Sequence, residues 1–211
     1  MSPPIDVASP VDAAMQRCVK ELLHYTTQKG VHGTIASAAI LSRAQLDKDE
    51  HLEHIRKGVW PRRDHRWLDH ISLSVTSIND LLFRQSRANH PAMWWAVFSV
   101  SPSILDDDGI WFTTTNNIFP AVKRDQGVAG FEAVFADPVE GRYGTMYTRA
   151  GVPCSQPTDR AAEVLYPQRI STNKVQLVYV SEASHRHHVL AWCDALEHPD
   201  LEIEIRPDMF A

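Results

Sequence analysis

The chain has 211 residues, of which 44% are hydrophobic and 22% are charged, and its formal net charge is −5. This length fits one domain that buries about 70% of the surface exposed by its unfolded chain, so no metal or disulfide is needed for stability. Three cysteines, Cys18, Cys154 and Cys193, are too few and too widely spaced for a disulfide framework or a zinc cluster. The residues after Met1 lack the pattern of a signal peptide, and no apolar run approaches the ~20 residues of a membrane span. We therefore expect a cytoplasmic protein with no membrane partner.

The N-terminal part of the chain is predicted to hold three helices and a short strand. Ser9 followed by Pro10 is typical of a helix start, because serine caps the first turn and proline is tolerated there. The predicted elements are a helix from Pro10 with an apolar stripe at Val11, Met15, Val19 and Leu22, a strand over 22–26, and helices over 30–37 and 47–57.

A basic segment follows these helices, although the whole chain is acidic. Residues 56 to 66 contain five basic side chains and one aspartate. The negative net charge argues against a general nucleic-acid binder, but a local basic strip can still bind phosphates. The alternative is an ordinary solvated loop. The basic residues are Arg56, Lys57, Arg62, Arg63 and Arg66.

The rest of the chain is rich in strands with β-branched and aromatic residues. Between Asp137 and Asp159 the composition shifts to Gly, Pro, Thr and Ser, which predicts a long loop. A helix is predicted over 183–196, with Val189, Trp192, Cys193 and Leu196 on its apolar face. The predicted strands cover 70–75, 94–100, 109–113, 162–166, 175–180 and 201–205, and the last one closes the sheet.

The order of these elements indicates the fold class. Strands come in runs, with helices early and one near the end, which is typical of a mixed α+β fold and not of regular βαβ alternation. No linker, repeat or low-complexity tract divides the chain, so residues 1–211 are predicted to form one domain. The absence of a Gly-x-Gly-x-x-Gly or Walker-type loop argues against a Rossmann or P-loop nucleotide site.

Glu163 is the most informative single residue. It lies inside an apolar run, Ala161-Ala162-Glu163-Val164-Leu165, directly after the long loop. By ordinary alternation its carboxylate would face solvent, and the alternative is that it points into a cleft. A buried carboxylate requires a partner or a function, because isolated burial of charge is strongly unfavourable.

His24 and Thr26 form a second candidate site at the end of the first predicted strand. Gly30 and Gly33 follow at the start of the next helix. Ring donors and open backbone amides of this kind can bind a nucleotide. The alternative is that His24 is a histidine of the core.

The sequence offers no convincing metal site. His185, His187 and His188 cluster within four residues, but no acidic or cysteine ligand lies at a matching helical spacing. The histidines are therefore interpreted as a solvated helix start, and we expect no metal.

Taken in order, several short segments resemble the DarT family of DNA ADP-ribosyltransferase toxins. The resemblance runs from about Leu22 to the C-terminus and rests on the shared order, because each segment alone is unspecific. The matching segments are His24-Tyr25-Thr26 and those at 31–35, 54–57, 69–73, 110–113, 162–165, 178–180 and 206–210.

This resemblance implies an ADP-ribosyltransferase-like fold, a split mixed β-sheet core with flanking helices. It also implies transfer of ADP-ribose from NAD⁺, as co-substrate and without a metal, to thymidine or guanosine in single-stranded DNA. The chain departs from the family over residues 70–75, where family members often carry proline and aromatic residues. Because that strand can line the nucleic-acid groove, the base that is modified stays open.

Site residues carried over from the family fall into three roles. Glu163 would stabilise the positive charge of an oxocarbenium-like transition state. His24, Thr26 and the backbone near Gly33 would hold NAD⁺. Arg56 would act as the catalytic arginine and pair with the pyrophosphate or the substrate, because a guanidinium fork suits pairs of oxygens.

The family's catalytic arginine lies in a loop of variable length, so Arg63 is the alternative to Arg56. Arg62, Arg63 and Arg66 would guide the nucleic-acid strand. Arg160, three residues before Glu163, would touch a phosphate of the acceptor.

The resemblance also implies a biological setting. A monomeric toxin of a toxin–antitoxin or phage-defence system would be neutralised by an antitoxin of the macrodomain type. Two alternatives stay open: a transferase of the same fold that acts on RNA or protein, and a non-catalytic nucleotide-binding domain.

Overall fold

A computed structural model of the chain describes residues 7–48 and 65–211. None of the helices formed by these residues is long and apolar enough to cross a membrane. The helices are α1 (Pro10–Gln16), α2 (Gln28–Ser37), α3 (Arg43–Leu46), α4 (Asp80–Asn89), α5 (Gly127–Ala133) and α6 (Ala183–Ala195). The strands are β1 (Leu22–Thr27), β2 (Ala39–Leu41), β3 (His70–Val75), β4 (Trp95–Val100), β5 (Trp111–Thr113), β6 (Arg124–Asp125), β7 (Val139–Glu140), β8 (Met146–Tyr147), β9 (Glu163–Pro167), β10 (Arg169–Ser171), β11 (Val175–Val180) and β12 (Ile203–Ile205).

The first of two compact units comprises the described residues of Met1–Leu22, Ser72–Ser77 and Ser101–Tyr166. Its strands are ordered β3-β9-β5-β6, and β5 is antiparallel to both β9 and β6. Helix α5 packs on β5 and β6, and α1 packs against α5. Buried aromatic rings join these layers, because Phe112 of β5 meets Phe131 of α5 edge-to-face with ring centroids 5.5 Å apart.

The second unit comprises the described residues of Leu23–Ile71, Ile78–Val100 and Pro167–Ala211. Its strands are ordered β12-β11-β4-β1, with β11 antiparallel to β4 and parallel to β12. Helix α2 packs against α6 and β4, and β2 pairs with β10 as a separate antiparallel ribbon. The core of this unit is formed by Leu23, Ile78, Phe83, Trp95, Val97, Tyr179 and Phe210.

The mixed α+β fold predicted from the sequence is confirmed, with sheet strands and flanking helices in each unit. The predicted helix start at Ser9 is also confirmed, because the Ser9 hydroxyl accepts a hydrogen bond from the backbone N–H of Asp12. All seven predicted strands form within two residues of their expected bounds.

Several local predictions were wrong. Helix α1 ends at Gln16, so Val19 and Leu22 do not continue its stripe, and Met15 is 69% exposed while Ala13 and Ala14 are buried. Cys18, with a φ of 57°, takes the left-handed conformation just beyond the helix end. Helices α4 and α5 were missed, since Phe83 is the only buried residue of α4 and α5 begins with glycine. The helix predicted over 47–57 lies largely outside the described residues.

The aromatic core of the first unit gives a stability prediction. We expect Phe131→Ala to lower the free energy of unfolding by about 3–5 kcal/mol, because it removes a fully buried ring from a packed cluster. Chemical denaturation would measure the change. Ile118→Ala, at a side chain that is 47% exposed, is the control and should change stability by less than about 0.5 kcal/mol. Equal effects of the two substitutions would contradict the assignment of this core.

Candidate active site

Glu163 is the first residue of β9 and lies directly opposite Thr113 of β5. The Thr113 hydroxyl accepts the backbone N–H of Glu163 at 2.9 Å. The same hydroxyl donates towards the carbonyl of Thr115 at 2.8 Å, with the Glu163 carbonyl as a longer acceptor at 3.2 Å. One buried side chain thus fixes the backbone of Glu163.

The Glu163 carboxylate is held as well as its backbone. It is half-buried, and its Oε2 accepts the backbone N–H of Asn117 at 2.8 Å. Asn117 in turn accepts two hydrogen bonds from Arg124, one on its side-chain oxygen and one on its carbonyl, both at 2.6 Å. A hydrogen-bond donor therefore orients the carboxylate. A side chain that simply faced solvent would not require such a donor.

The segment that supplies this donor is a run of five uncharged polar residues at positions 113–117, all of them buried. Sequence reasoning did not assign it to the site. Its signal was a Thr-Thr-Thr-Asn-Asn run directly after an apolar strand, because buried polar side chains require hydrogen-bond partners. The residues are Thr113, Thr114, Thr115, Asn116 and Asn117.

Asp159 fixes the chain just before Glu163. Only 5% of this residue is exposed. Its carboxylate accepts the Thr115 hydroxyl at 2.5 Å and the backbone N–H of Ala161 at 2.8 Å. Through Asp159, the residues that lead into β9 are thus hydrogen-bonded to the same buried polar run.

The segment predicted as a long loop over 137–159 contains a small antiparallel ribbon, β7 and β8. Composition misled the prediction, because the segment is ordered by side-chain contacts to its own backbone. The Arg149 guanidinium donates to the carbonyls of Gln156 at 3.0 Å and Pro153 at 2.9 Å. Gly141 lies so close to Asp159 that an added Cβ would be 2.6 Å from its carboxylate.

The other end of β9 is anchored by Tyr166, whose hydroxyl donates to the Asp107 carboxylate at 2.7 Å. Burial, reinforced by the neighbouring Asp107 carboxylate, raises the pKa of Tyr166 to about 12. The phenol therefore stays protonated, and remains a donor, throughout the neutral pH range.

His24 and Thr26 lie in the second unit, on β1. Alternate residues of a strand share a face, so both side chains point away from Leu23 and Tyr25, which belong to the core or pack against it. His24 is half-buried and lies outside that core cluster. The role of His24 in binding NAD⁺ stays a prediction.

Two glycines of α2, Gly30 and Gly33, follow His24 and Thr26. Gly33 is buried within the helix. At Gly30, an added Cβ would lie 1.9 Å from the Thr26 hydroxyl oxygen. Thr26 thus rests against the first turn of α2, and only glycine leaves room for it.

Of the arginines proposed for the site, the structure describes Arg66 and Arg160. Arg66 is exposed in a short 3-10 helix at His65–Trp67 of the second unit, and Arg160 is exposed in the first unit. Arg56, Arg62 and Arg63 lie outside the described residues, so the choice of catalytic arginine stays a prediction.

The histidine cluster on α6 differs from the solvated helix start that was predicted. His187 and His188 are exposed, but only 13% of the His185 side chain is exposed, and its ring stacks on Trp94 at 4.6 Å. Burial lowers the pKa of His185, against the opposing effect of the nearby Glu182 carboxylate. No group of three or more potential metal ligands occurs among residues 7–48 and 65–211.

Comparison with known families gives a match over most of the chain. The family model described as "ssDNA thymidine ADP-ribosyltransferase, DarT" matches residues 23–211. No curated protein sequence matches the chain.

Solved DarT structures from Thermus sp. 2.9 and Thermosipho africanus share the fold of this chain. Thermus sp. 2.9 DarT in complex with NAD⁺ is 13% identical, with a TM-score of 0.59 over 90% of this chain and 96% of that one. Thermus sp. 2.9 DarT in complex with ADP-ribosylated ssDNA is 14% identical, with a TM-score of 0.58 over 90% and 95% of the two chains. Thermosipho africanus DarTG in complex with ADP-ribose is 15% identical, with a TM-score of 0.56, but this chain spans only 51% of its length. At these identities the likeness establishes the fold.

The packing of Thr26 on Gly30 gives a prediction about local stability. Although alanine favours helices by ~1 kcal/mol over glycine, we expect Gly30→Ala to lower the free energy of unfolding by about 1–3 kcal/mol through overpacking. The same substitution in a Thr26→Ala background should cost nothing or stabilise, because the clashing hydroxyl is gone. Denaturation of the four proteins of this cycle measures the coupling. Additive effects would show that the two residues do not pack together.

Proposed function

The chain belongs to the DarT family, whose model covers residues 23–211, and on this premise we propose that it transfers ADP-ribose from NAD⁺ to a thymidine or guanosine base of single-stranded DNA. NAD⁺ is the co-substrate, and the reaction requires no metal. The solved relatives of the same fold hold NAD⁺ and ADP-ribosylated ssDNA, which supports both substrates.

The observation that carries the proposal is the oriented carboxylate of Glu163. Its Oε2 accepts the backbone N–H of Asn117 at 2.8 Å, so the group is half-buried and yet hydrogen-bonded. A carboxylate held in this way is prepared to act on a positive charge without first rearranging. This favours a catalytic role for Glu163 over the non-catalytic nucleotide-binding alternative.

The chemistry follows from the bond that must break. The bond between the ribose and the nicotinamide nitrogen breaks, and its electron pair leaves with the nicotinamide. Positive charge then develops on the ribose, where the Glu163 carboxylate stabilises it, as carboxylates do in glycoside chemistry. A base nitrogen of the acceptor forms the new bond to the ribose, and its proton passes to Glu163.

The NAD⁺-binding residues are proposed from the family resemblance and from the strand face they share. His24 and Thr26 lie outside the core cluster of the second unit, and both are half-buried. The backbone near Gly33 completes this surface, and Arg56 pairs with the pyrophosphate or the substrate. If Arg56 does not serve, Arg63 is the catalytic arginine.

The acceptor is proposed to be bound through its phosphates. Arg160 is exposed and lies three residues before Glu163 in sequence, and Arg62, Arg63 and Arg66 belong to the basic strip of residues 56–66. Single-stranded DNA is expected because pairing hides the base atoms that must attack.

Modification of DNA bases would make the enzyme toxic to its host. We propose a toxin of a toxin–antitoxin or phage-defence system, monomeric in the cytoplasm and neutralised by a macrodomain-type antitoxin that removes ADP-ribose. This setting rests on the family resemblance. Normal growth of cells that express the chain without an antitoxin would contradict it.

Glu163→Gln is the direct test of the catalytic assignment. The amide can still accept the Asn117 N–H but lacks the charge, so we expect transfer to fall at least 100-fold, which corresponds to ~3 kcal/mol of barrier. Labelled NAD⁺ would be offered with single-stranded DNA, RNA or protein in separate reactions. If ADP-ribose is transferred only to RNA or only to protein, DNA is not the acceptor. The proposed role of Glu163 would then still hold.

The matched control is Glu132→Gln, which breaks an ion pair with Arg17 in the same unit and should leave transfer unchanged. If Glu163→Gln keeps more than about a tenth of wild-type transfer, Glu163 is not a catalytic residue.

The basic strip is tested by replacing Arg62, Arg63 and Arg66 with Gln. Binding to single-stranded DNA should weaken for all sequences, and its log–log salt dependence should flatten by about 0.7 for each phosphate that the protein no longer neutralises. Fluorescence anisotropy at several salt concentrations measures both effects. A triple variant at three exposed arginines elsewhere, Arg84, Arg169 and Arg186, is the control for the charge change alone.

Cleavage of NAD⁺ without an acceptor should survive the triple replacement and should fail in Arg56→Gln. The reverse pattern would assign the catalytic role to Arg63. An unchanged salt slope would identify the strip as a solvated loop.

A further inference from the structure

Arg124 lies in one row with Glu163 across three strands of the first unit. The register pairs Arg124 of β6 with Thr113 of β5, and Thr113 with Glu163 of β9. Residues directly opposite each other on antiparallel strands project from the same face of the sheet. The arginine and the carboxylate therefore share a face, with one threonine between them.

Arg124 donates two hydrogen bonds to the same residue, Asn117. Its Nε donates to the side-chain oxygen of Asn117, and its Nη2 donates to the backbone carbonyl of Asn117, each at 2.6 Å. A planar guanidinium makes two such bonds as a rigid fork, which an ammonium group cannot reproduce. Both the side chain and the backbone of Asn117 are thereby fixed.

Asn117, which Arg124 fixes, also contacts the carboxylate of Glu163. Asn117 is 4% exposed, and its backbone N–H donates to Oε2 of Glu163 at 2.8 Å. The position of this N–H depends on the Asn117 carbonyl and side chain that Arg124 holds. A hydrogen bond to one carboxylate oxygen sets the side-chain torsion and thereby the position of the second oxygen.

We infer that Arg124 is a positioning residue for Glu163 and acts through the backbone N–H of Asn117. The inference rests on the proposed catalytic role of Glu163. Loss of the fork leaves the carboxylate present but mispositioned for the reacting ribose, and small displacements of catalytic groups have large effects on rate.

This role predicts a particular kinetic pattern for Arg124→Gln. The kcat for NAD⁺ cleavage should fall about 10- to 100-fold, whereas the KM for NAD⁺ should change less than about threefold, because transition-state interactions are removed and ground-state binding is kept. A raised KM with an unchanged kcat would show that Arg124 binds the substrate, and would overturn the inference.

Arg17→Gln is the matched control for a purely structural arginine. Arg17 lies in the same unit, pairs with Glu132 and covers the Phe135 ring at 4.2 Å. Its removal should lower the melting temperature without changing kcat. A fall in kcat of the same size in both variants would attribute the Arg124 effect to reduced stability.

A double-mutant cycle separates the proposed route from other effects of Arg124. Asn117→Ala keeps the backbone arm of the fork, so kcat should fall only about 5- to 10-fold. The Arg124→Gln/Asn117→Ala protein should be no more than about threefold slower than Arg124→Gln alone, since both changes break the same connection. Multiplicative effects would show that Arg124 acts elsewhere.

A readout without enzymatic activity keeps this inference separate from the proposed function. Hydrogen exchange of the Asn117 amide should accelerate about tenfold or more in Arg124→Gln and in Glu163→Ala, and stay unchanged in Arg17→Gln. If the wild-type chain cleaves no NAD⁺, the proposed function fails, and amide exchange still decides whether Arg124 holds this contact. Unchanged exchange in Arg124→Gln would overturn the inference.

Discussion

A half-buried carboxylate at the start of β9 must find hydrogen-bond donors, and much of the first unit is arranged around this requirement. One donor to Glu163 is a backbone N–H of a segment that is itself buried, so that segment must satisfy its own polar groups. Each buried polar group left without a partner costs about 1–3 kcal/mol. The contacts of Thr113, Asp159 and Arg124 with this segment or with its neighbours remove such costs and fix the carboxylate at the same time.

The apolar core sets the register on which this arrangement depends. Phe112 and Val164 face each other across β5 and β9 and are almost completely buried. A slip of one residue would exchange the two faces of a strand and expose these side chains to water. The next pair in the same register is Thr113 and Glu163, so the packing of the core decides which residue faces the carboxylate.

Sequence reasoning found the strand of Glu163 because a charged residue interrupts an apolar run, and it found the family because several weak segments occur in a fixed order. It missed Asn117 and Arg124 for a physical reason. Asn117 acts through a backbone N–H, which has no signature in the residue type, and its contact with Glu163 joins residues 46 positions apart. The ribbon at β7 and β8 was missed because its order comes from contacts such as those of Arg149, while its composition is that of a loop.

The nature of the donor to Glu163 suits the reaction proposed for it. A neutral backbone N–H orients the carboxylate without itself cancelling the negative charge, and positive charge develops on the ribose in the transition state. A carboxylate that was free to rotate would have to be ordered during the reaction, at a cost in free energy that a fixed group has already met during folding. The charged guanidinium of Arg124 donates hydrogen bonds to Asn117, and the neutral backbone N–H of Asn117 donates to Glu163. The hydrogen bonds that fold the buried polar run therefore also orient the Glu163 carboxylate.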